Sequence, residues 1–527
     1  MAISSEILSH LSNQTLQPCE LPEGRKAIPL AWVFKIKMNP DGSKRYKARI
    51  VMKGFLQREG VDFGDTYAPV AKWTSIRILL AITTILNWDL FHVDFETAFM
   101  IPKMDAEVYV RTIAGMQELT PEGNIARMLK GVNGCKQGSK LFYEEVKNTL
   151  IENGFKMSIF DSCVFTKQVG NEICVVITWV DDLLISTNCD KILKQLLQNL
   201  KTKYKYKLVI EPTLFLGMKL SRDKTNKTMS LSQENYFIEV LNKFGMQNCN
   251  PIATPMEHGK YYTKSRDMNA EEMNFMKSKP YRNLACSLMY PSNISRPDIA
   301  YACNTASRHL QNPGKEHWQL IQRIARYIKG TASLGLNYDA AGKIITGWPD
   351  ASWADNVDDR KSTGGYCFFI GNCLISWSSR KQNFIALSSN NAEFGALAEA
   401  SREAYYIRGL VNEISPGFLQ ADTPITIFED NEGTIAQARN NILNSANRTI
   451  ALKFHFVREE ILSKRITLSP VCSQDQLGDI LTKALPPQTF MRFRDLILGL
   501  NREHNIWSKA SSTAASDRHL IKGGCWR

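Results

Sequence analysis

Two adjacent aspartates, Asp181 and Asp182, interrupt an otherwise apolar run, with ICVVITWV before them and LLIS after. Carboxylates held this closely suit phosphoryl transfer assisted by divalent metal. Mg2+ takes hard oxygen ligands, and two ions about 3.5–4 Å apart activate the attacking oxygen and stabilise the leaving one. Asp is equally favoured at a solvated hairpin tip, so the pair taken alone is also compatible with plain turn chemistry. A second acidic pair, Asp358-Asp359, sits in the polar stretch DNVDDRKST with no apolar strand to aim it, and it reads as a solvated loop.

The elements that would have to aim these carboxylates follow from periodicity. Residues 173–186 read as a buried strand, a turn over 179–182 and a second strand. AWVFKIK and SKRYKARIVMKGF flank Pro40-Asp41-Gly42, which predicts a β-hairpin over 31–55. That hairpin is dense in cations: Lys35, Lys37, Lys44, Arg45, Lys47, Arg49 and Lys53. Residues 74–87 read as a helix and 90–95 as a strand. Lys191, Lys194, Lys201, Lys203, Lys205 and Lys207 recur along a solvated helix and strand. Over 315–330, Trp318, Ile321, Ala325 and Ile328 share one helical face, while Arg323, Arg326 and Lys329 share the other. From about residue 340 a further unit reads as a strand (KIITGWPDASW), a hairpin (GGYCFFIG and CLISWSS) and a helix over 391–413. A strand (PITIFED), a helix from Glu432, a strand (RITLSPV) and a last helix over 475–485 complete a mixed α/β domain.

The 527 residues carry 65 Lys+Arg against 52 Asp+Glu, a net charge of +13. With 44% hydrophobic and 22% charged residues the chain is ordinary globular protein rather than a disordered one. The positive excess favours a polyanionic partner, nucleic acid before membrane, since no basic amphipathic helix stands out. No window reaches the roughly 18 uncharged apolar residues of a membrane span. The first residues lack the basic start and apolar block of a secretory signal. The 12 cysteines are scattered without CxxC or Cys/His clusters, which argues against a disulfide framework or a structural zinc site and for an intracellular setting.

The run ITWVDDLLIS resembles the aromatic-x-Asp-Asp box of reverse transcriptases, with Trp179 at the aromatic position. Around it stand RYKARIVMKGFLQREGVDFGDTYAPVAKWTSIRILLAI, FHVDFETAF, GCKQGSKLFYE and LFLGMKLSRD. Downstream come SLMYPSNISRPDIAYA, NPGKEHWQLIQRIARYIKGT, GWPDASWAD, KSTGGYCFFIGNCLISWSSRKQ and QLGDILTKALP. From about residue 22 to 500 these boxes resemble the reverse transcriptase, connecting region and ribonuclease H of the Pol polyprotein of copia-type long-terminal-repeat retrotransposons. The resemblance implies an α/β (α+β) fold: a right-hand palm and fingers with a connecting region, followed by a ribonuclease H-like mixed-sheet domain. The implied boundaries are a leader over 1–24, fingers and palm over 25–245, thumb and connection over 246–339, the ribonuclease H-like domain over 340–495 and a disordered tail over 496–527.

The same resemblance implies an RNA-directed DNA polymerase with ribonuclease H activity. Its partners would be an RNA template, a DNA primer, RNA–DNA hybrid and dNTPs, with no membrane, in a cytoplasmic virus-like particle or the nucleus. Asp94 matches the first palm aspartate and, with Asp181 and Asp182, would hold two Mg2+, for which Mn2+ can substitute. Lys47 and Arg49 fall in the fingers, where cations neutralise an incoming triphosphate. Phe99 falls where an aromatic ring lies under the sugar and excludes a 2′-hydroxyl; its bland alternative is core packing. Gln137 matches the glutamine that lines the nucleotide pocket, and Leu216-Gly217 resembles the primer-grip turn, for which an ordinary β-turn is the alternative.

Asp350, Glu393, Asp430 and Asp479 match the four ribonuclease H carboxylates, implying a second two-ion site. Their places agree with that role: the end of a strand, the opening of a helix, the residue after ITIF, and the closing helix. Helix ends also favour acids that have no chemistry to do, Glu393 above all. His455 in FHFVREE is a candidate assistant, with core packing as its alternative.

Several boxes are worn. Cys135, Lys140 and Phe142 stand where the family has Leu, Arg and Trp; Ser352 replaces a common second acid; Asn390-Asn391 replace Thr-Glu; and NRTIALKFHF is two residues short before His455. None of the seven carboxylates is replaced. Zinc-knuckle, aspartic-protease and integrase motifs are absent, the pattern of a polyprotein's C-terminal portion. The wear leaves a second reading open, a transposon-derived nucleic-acid-binding protein that keeps the fold without turnover.

Overall fold

The structure, a computed structural model, describes residues 2–38, 44–121, 123–264, 268–420, 423–440 and 451–501. The Pro40-Asp41-Gly42 turn, the shortened stretch at 447–450 and the tail from 502 onward lie outside them. The chain forms two compact units, Met1–Lys72 with Asp89–Glu211, and Trp73–Trp88 with Pro212–Arg527. Among the described residues no helix is long and apolar enough to cross a membrane.

In the first unit α1 (Ala2–Asn13) and β1 (Leu16–Pro18) lead into the hairpin β2 (Ile28–Met38) and β3 (Lys44–Met52). The next helix, α2 (Trp73–Leu86), belongs to the second unit. The chain returns with β4 (Asp89–Phe95), β5 (Tyr109–Arg111), β6 (Ile125–Met128), α3 (Gly138–Glu152), β7 (Lys156–Met157), β8 (Val164–Val169), β9 (Glu172–Trp179), β10 (Asp182–Thr187), α4 (Asp190–Lys203) and β11 (Tyr206–Ile210). Two sheets result, in the orders β1-β6-β5-β2-β3 and β11-β4-β10-β9-β8-β7.

The register of each sheet decides which side chains reach a site. Lys35 pairs with Lys47 and Val33 with Arg49, so the pleat gathers Arg45, Lys47 and Arg49 on one face of β3 and Ala48 and Ile50 on the other. Ile50 is fully buried and shares a core with Ile7, Leu30 and Met52, which anchors the base of the cationic hairpin. Strand β9 is buried without interruption from Ile173 to Thr178, which is why it reads as a continuous apolar run rather than an alternating one. Phe142 and Val146 of α3 and Ile192 and Leu196 of α4 pack against Val93, Phe95, Val176 and Ile185. Each such side chain contributes about 1.5–3 kcal/mol on burial.

The second unit begins with α2 and continues through β12 (Leu214–Phe215), β13 (Met218–Asp223), β14 (Thr228–Ser232), α5 (Glu234–Lys243), α6 (Ala270–Lys277), α7 (Tyr281–Ile294), α8 (Ala300–Ser307), α9 (Lys315–Thr331) and β15 (Gly335–Tyr338), with the sheet order β12-β13-β14-β15. Then follow β16 (Ile345–Ser352), β17 (Thr363–Ile370), β18 (Cys373–Lys381), α10 (Ser389–Ile414), β19 (Ile425–Glu429), α11 (Glu432–Arg439), α12 (Ala451–Leu462), β20 (Ile466–Pro470) and α13 (Pro487–Ile497). Their sheet runs β18-β17-β16-β19-β20, antiparallel on the β17 side of β16 and parallel through β19 and β20, the mixed sheet expected from the sequence.

Two features of this unit were hidden in the sequence. The helix expected over 475–485 is not α-helical: short 3-10 turns cover Ser473–Asp475 and Leu477–Leu481, and α13 starts only at Pro487. Gly478 lies so close to β16 that a Cβ there would come within 2.7 Å of the Asp350 Cβ, and Pro486 denies its predecessor a helical backbone. Helix α2 is buried at every residue from Thr74 to Ile85, as a helix apolar all round must be. Its one cation, Arg77, donates to the carbonyls of Ile375 (2.7 Å), Asn293 (2.9 Å) and Ile294 (3.0 Å), with its guanidinium 3.9 Å from the Trp377 ring centre. Burial lowers the Arg77 pKa to about 10, which still leaves it charged at neutral pH.

Candidate active sites

Strand β4 lies between β10 and β11, so Asp94 has Asp182 as its cross-strand partner on one side and Lys207 on the other. Trp179 pairs with Asp182, leaving Val180 and Asp181 as the two-residue turn of the β9–β10 hairpin. Val180 takes φ +52, a left-handed conformation that a β-branched residue adopts only at a cost of about 1–3 kcal/mol. The Asp181 carbonyl accepts from Phe95 N–H at 3.1 Å, which ties this turn to the end of β4.

A cleft of about 450 Å3 opens over these strands, and Lys47, Arg49, Asp94, Phe99, Asp181 and Lys207 line it. Burial, then the charge of Asp182, pushes the Asp181 carboxyl above its ordinary value; Asp94 adds to the shift and Arg49 opposes it. The sequence separated these groups by more than 130 positions, and the fold brings them to one cavity. Asp182 is turned to other use: His92 Nε2 lies 2.6 Å from its Oδ1. His92 was missed in the sequence, although alternation along a strand puts residues 92 and 94 on one face.

Phe99 stands in a 3-10 turn, Ala98–Met100, directly after Thr97 at φ +57. Gly131 lies so close to the Phe99 carbonyl that a Cβ there would approach it to 2.3 Å, so this position beside the turn admits only glycine without a shift. Gln137 is placed differently from its expectation. It is fully buried at the start of α3, accepts from Gln57 Nε2 at 3.0 Å and donates to the Asp62 carbonyl at 2.9 Å, and it is not among the residues lining the cleft. Leu216 and Gly217, in the second unit, form the turn between β12 and β13 with φ of +49 and +79, as a two-residue hairpin loop requires.

In the second unit Asp350 lies two residues short of the end of β16, Asp430 directly after β19, Glu393 in the second turn of α10, and Asp479 on the 3-10 turn under Gly478. Thr482 Oγ1 donates to Asp350 Oδ2. Burial, followed by the charges of Asp350 and Glu429, raises the Glu393 carboxyl to about 11; burial and Asp350 raise Asp479 to about 8. Glu429, absent from the sequence-derived set, is fully buried, and its pKa is pushed well above the usual range. Lys483, one turn beyond Asp479, lies 2.7 Å from Asp479 Oδ1. His455 is exposed on α12 rather than part of the core.

Among the described residues no three His, Cys, Asp or Glu side chains are gathered so that they could hold a metal ion as they stand. The donor chemistry nevertheless fits a divalent cation in the second unit. Its buried carboxylates feel one another's charge, and Glu393 Oε2 and Glu429 Oε2 have no hydrogen-bond donor. In the first unit Asp94 and Asp181 offer the same hard oxygens to one cavity.

Residues 13–258 match the family of reverse transcriptases, RNA-dependent DNA polymerases. The retrovirus-related Pol polyprotein from transposon TNT 1-94 of Nicotiana tabacum is 32% identical over 499 residues, 94% of this chain and 37% of its own length. The corresponding polyprotein from transposon RE2 of Arabidopsis thaliana is 33% identical over 496 residues, 93% of this chain and 33% of its own length. The chain thus spans about a third of the length of these two polyproteins. Among solved structures, a foamy viral protease–reverse transcriptase in complex with double-stranded DNA aligns over 92% of this chain and 70% of its own at 13% identity, with a TM-score of 0.46.

Proposed function

The chain belongs to the reverse transcriptase family of copia-type transposon Pol polyproteins, and from that membership we propose that it extends a DNA primer on an RNA template at the first site and cleaves the RNA strand of a hybrid at the second. One observation carries the reading: a strand of alternating cations, β3, and the carboxylates Asp94 and Asp181 line a single cleft. Lys47 and Arg49 bind the triphosphate of a dNTP. Asp94, Asp181 and Asp182 would hold two Mg2+, or Mn2+ in their place, which would supply the charge that lowers the pKa of the primer 3′-hydroxyl and stabilises the departing pyrophosphate. The Phe99 ring lies under the sugar and leaves no room for a 2′-hydroxyl. Gln137 braces the start of α3 against Gln57 and the Asp62 carbonyl, and Leu216-Gly217 hold the primer strand. In the second unit Asp350, Glu393, Asp430 and Asp479 orient the water that attacks the RNA, whose 2′-hydroxyl tells it from DNA.

A second reading, binding of nucleic acid without turnover, is favoured by one observation, the capture of Asp182 by His92. Primer extension on an RNA template with Mg2+ separates the two. Extension by the wild-type protein, lost in Asp181→Asn while salt-sensitive template binding survives, supports the polymerase; binding with no extension in either protein supports the alternative.

A further inference from the structure

A carboxylate-based nuclease site has no evident use for an ammonium against it, yet the half-exposed side chain of Lys483 reaches the edge of the second cluster. We propose that Lys483 is a resident counter-cation of this cluster: its ammonium holds Asp479 and Asp350 together while no divalent ion is bound, competes with such an ion for the same oxygens, and so sets the metal concentration at which the site loads. The inference rests on the reading of Asp350, Glu393, Asp430 and Asp479 as a metal site.

The placement of Lys483 is built rather than incidental. The segment 478–483 closes over Asp350 as a clip. Gly478 supplies the close approach to β16, the Thr482 hydroxyl donates to Asp350, and the Lys483 backbone N–H donates to the Asp479 carbonyl at 3.1 Å. The side chain then follows for one turn and ends 2.7 Å from Asp479 Oδ1. An exposed i,i+4 ion pair between two mobile side chains contributes little. Here the lysine side chain is half exposed but its partner Asp479 is buried at 8% exposure, with Asp350 buried at 3% beside it, so the positive charge is felt more strongly than between two surface groups.

The electrostatics run the same way. Of the charges acting on Asp350, that of Lys483 is the largest and is favourable, while Asp430 opposes it. Burial works against the ammonium, but Asp350 and Asp479 outweigh it and keep the Lys483 pKa above its ordinary value. An ammonium carries one charge and three donors; a divalent ion offers two charges and accepts several oxygens at once. Replacement of the first by the second is therefore favourable only above a threshold of free metal, and the lysine determines where that threshold lies.

The test uses the full chain with Asp94→Asn, Asp181→Asn and Asp182→Asn as the parent, which removes all three carboxylates assigned to the first site. Mn2+ binding is read from loss of the free-ion electron paramagnetic resonance signal, and unfolding temperature is measured with and without divalent ions. Lys483→Met is expected to bind Mn2+ about five- to tenfold more tightly than the parent, because it removes a competing charge. Measured above about pH 8, where Asp479 is ionised, its metal-free unfolding temperature is expected to fall by a few degrees, since repulsion between Asp479 and Asp350 is no longer offset. Lys483→Arg keeps the charge and should stay near the parent in both readouts, and Lys483→Gln serves where the Met variant fails to fold. Mn2+ affinity equal to or weaker than the parent's in both neutral variants would overturn the counter-cation role. Absence of Mn2+ binding in the parent and in every variant would instead reject the metal-site reading beneath it, and the proposal with it.

Discussion

His92 and Asp182 form a 2.6 Å hydrogen bond across the β4–β10 pair, on the same strand that carries Asp94. The aspartate accepts, so the imidazole carries its proton on Nε2, and one carboxylate oxygen of the pair Asp181-Asp182 is withheld from any cation. His92→Leu should release it. The expected result is half-maximal primer extension at a Mg2+ concentration about two- to fivefold lower than in the wild type, since a third oxygen ligand becomes available without breaking a bond first. A higher Mg2+ requirement in the variant would mean that His92 presents Asp182 productively instead.

Phe99 lines the cleft from a turn closed by the Met100 and Ile101 backbone N–H groups, so trimming its ring should enlarge the cleft without moving the backbone. Phe99→Val is expected to raise ribonucleotide incorporation relative to deoxyribonucleotide by about tenfold or more, the scale on which a steric contact of a few kcal/mol discriminates substrates. Unchanged discrimination would make Phe99 a packing residue.

The Asp479 carboxyl is raised to about 8 by burial and by Asp350. The folded chain therefore keeps a proton that the unfolded chain releases above its ordinary pKa near 3.8. Stability from this group is complete below about pH 4 and is lost progressively as the pH rises towards 8. In metal-free buffer the unfolding temperature should drop between pH 5 and about pH 8, and Asp479→Asn, which carries no proton to lose, should flatten that drop. A wild-type profile no steeper than the variant's would contradict the shift.

Arg77 satisfies three carbonyls, two of them buried, with one planar group. Arg77→Met leaves them without donors at a cost of about 3 kcal/mol or more, read as a lower unfolding temperature of the second unit. Arg77→Lys should recover little, because a lysine ammonium lacks the fork that spans the three acceptors. Full recovery by lysine would show that charge alone matters.

What could be read from the residues was whatever depends on local pattern. The β9–β10 hairpin, the cationic pair β2 and β3, α9 and the mixed sheet around β16 were all legible, because alternation, helical spacing and turn residues are written along the chain. Partnership between strands is not. Nothing near Asp182 announces that register will bring His92 to it, and nothing near Gln137 announces Gln57. Glu429 was passed over beside Asp430, although a carboxylate at the buried end of an apolar strand is the more unusual of the two. The run 475–485 misled because its helical spacing is interrupted by Gly478 and ended by Pro486, whose effects depend on what lies beneath them. The matched family spans residues 13–258 and so takes in Asp94, Asp181 and Asp182 of the first site.

Helix α2 has a further consequence in the order of synthesis. It is the most thoroughly apolar helix of the chain, and its guanidinium anchors to Ile375, 298 residues later. At about 5–20 residues per second a ribosome needs roughly 15–60 s to deliver that partner. During that interval α2 already stands in the chain between the two segments of the first unit, without the β18 carbonyl that its guanidinium meets in the folded protein. The nascent chain is thus most exposed to aggregation in mid-translation, and a truncated product ending before β18 would keep that exposed helix permanently.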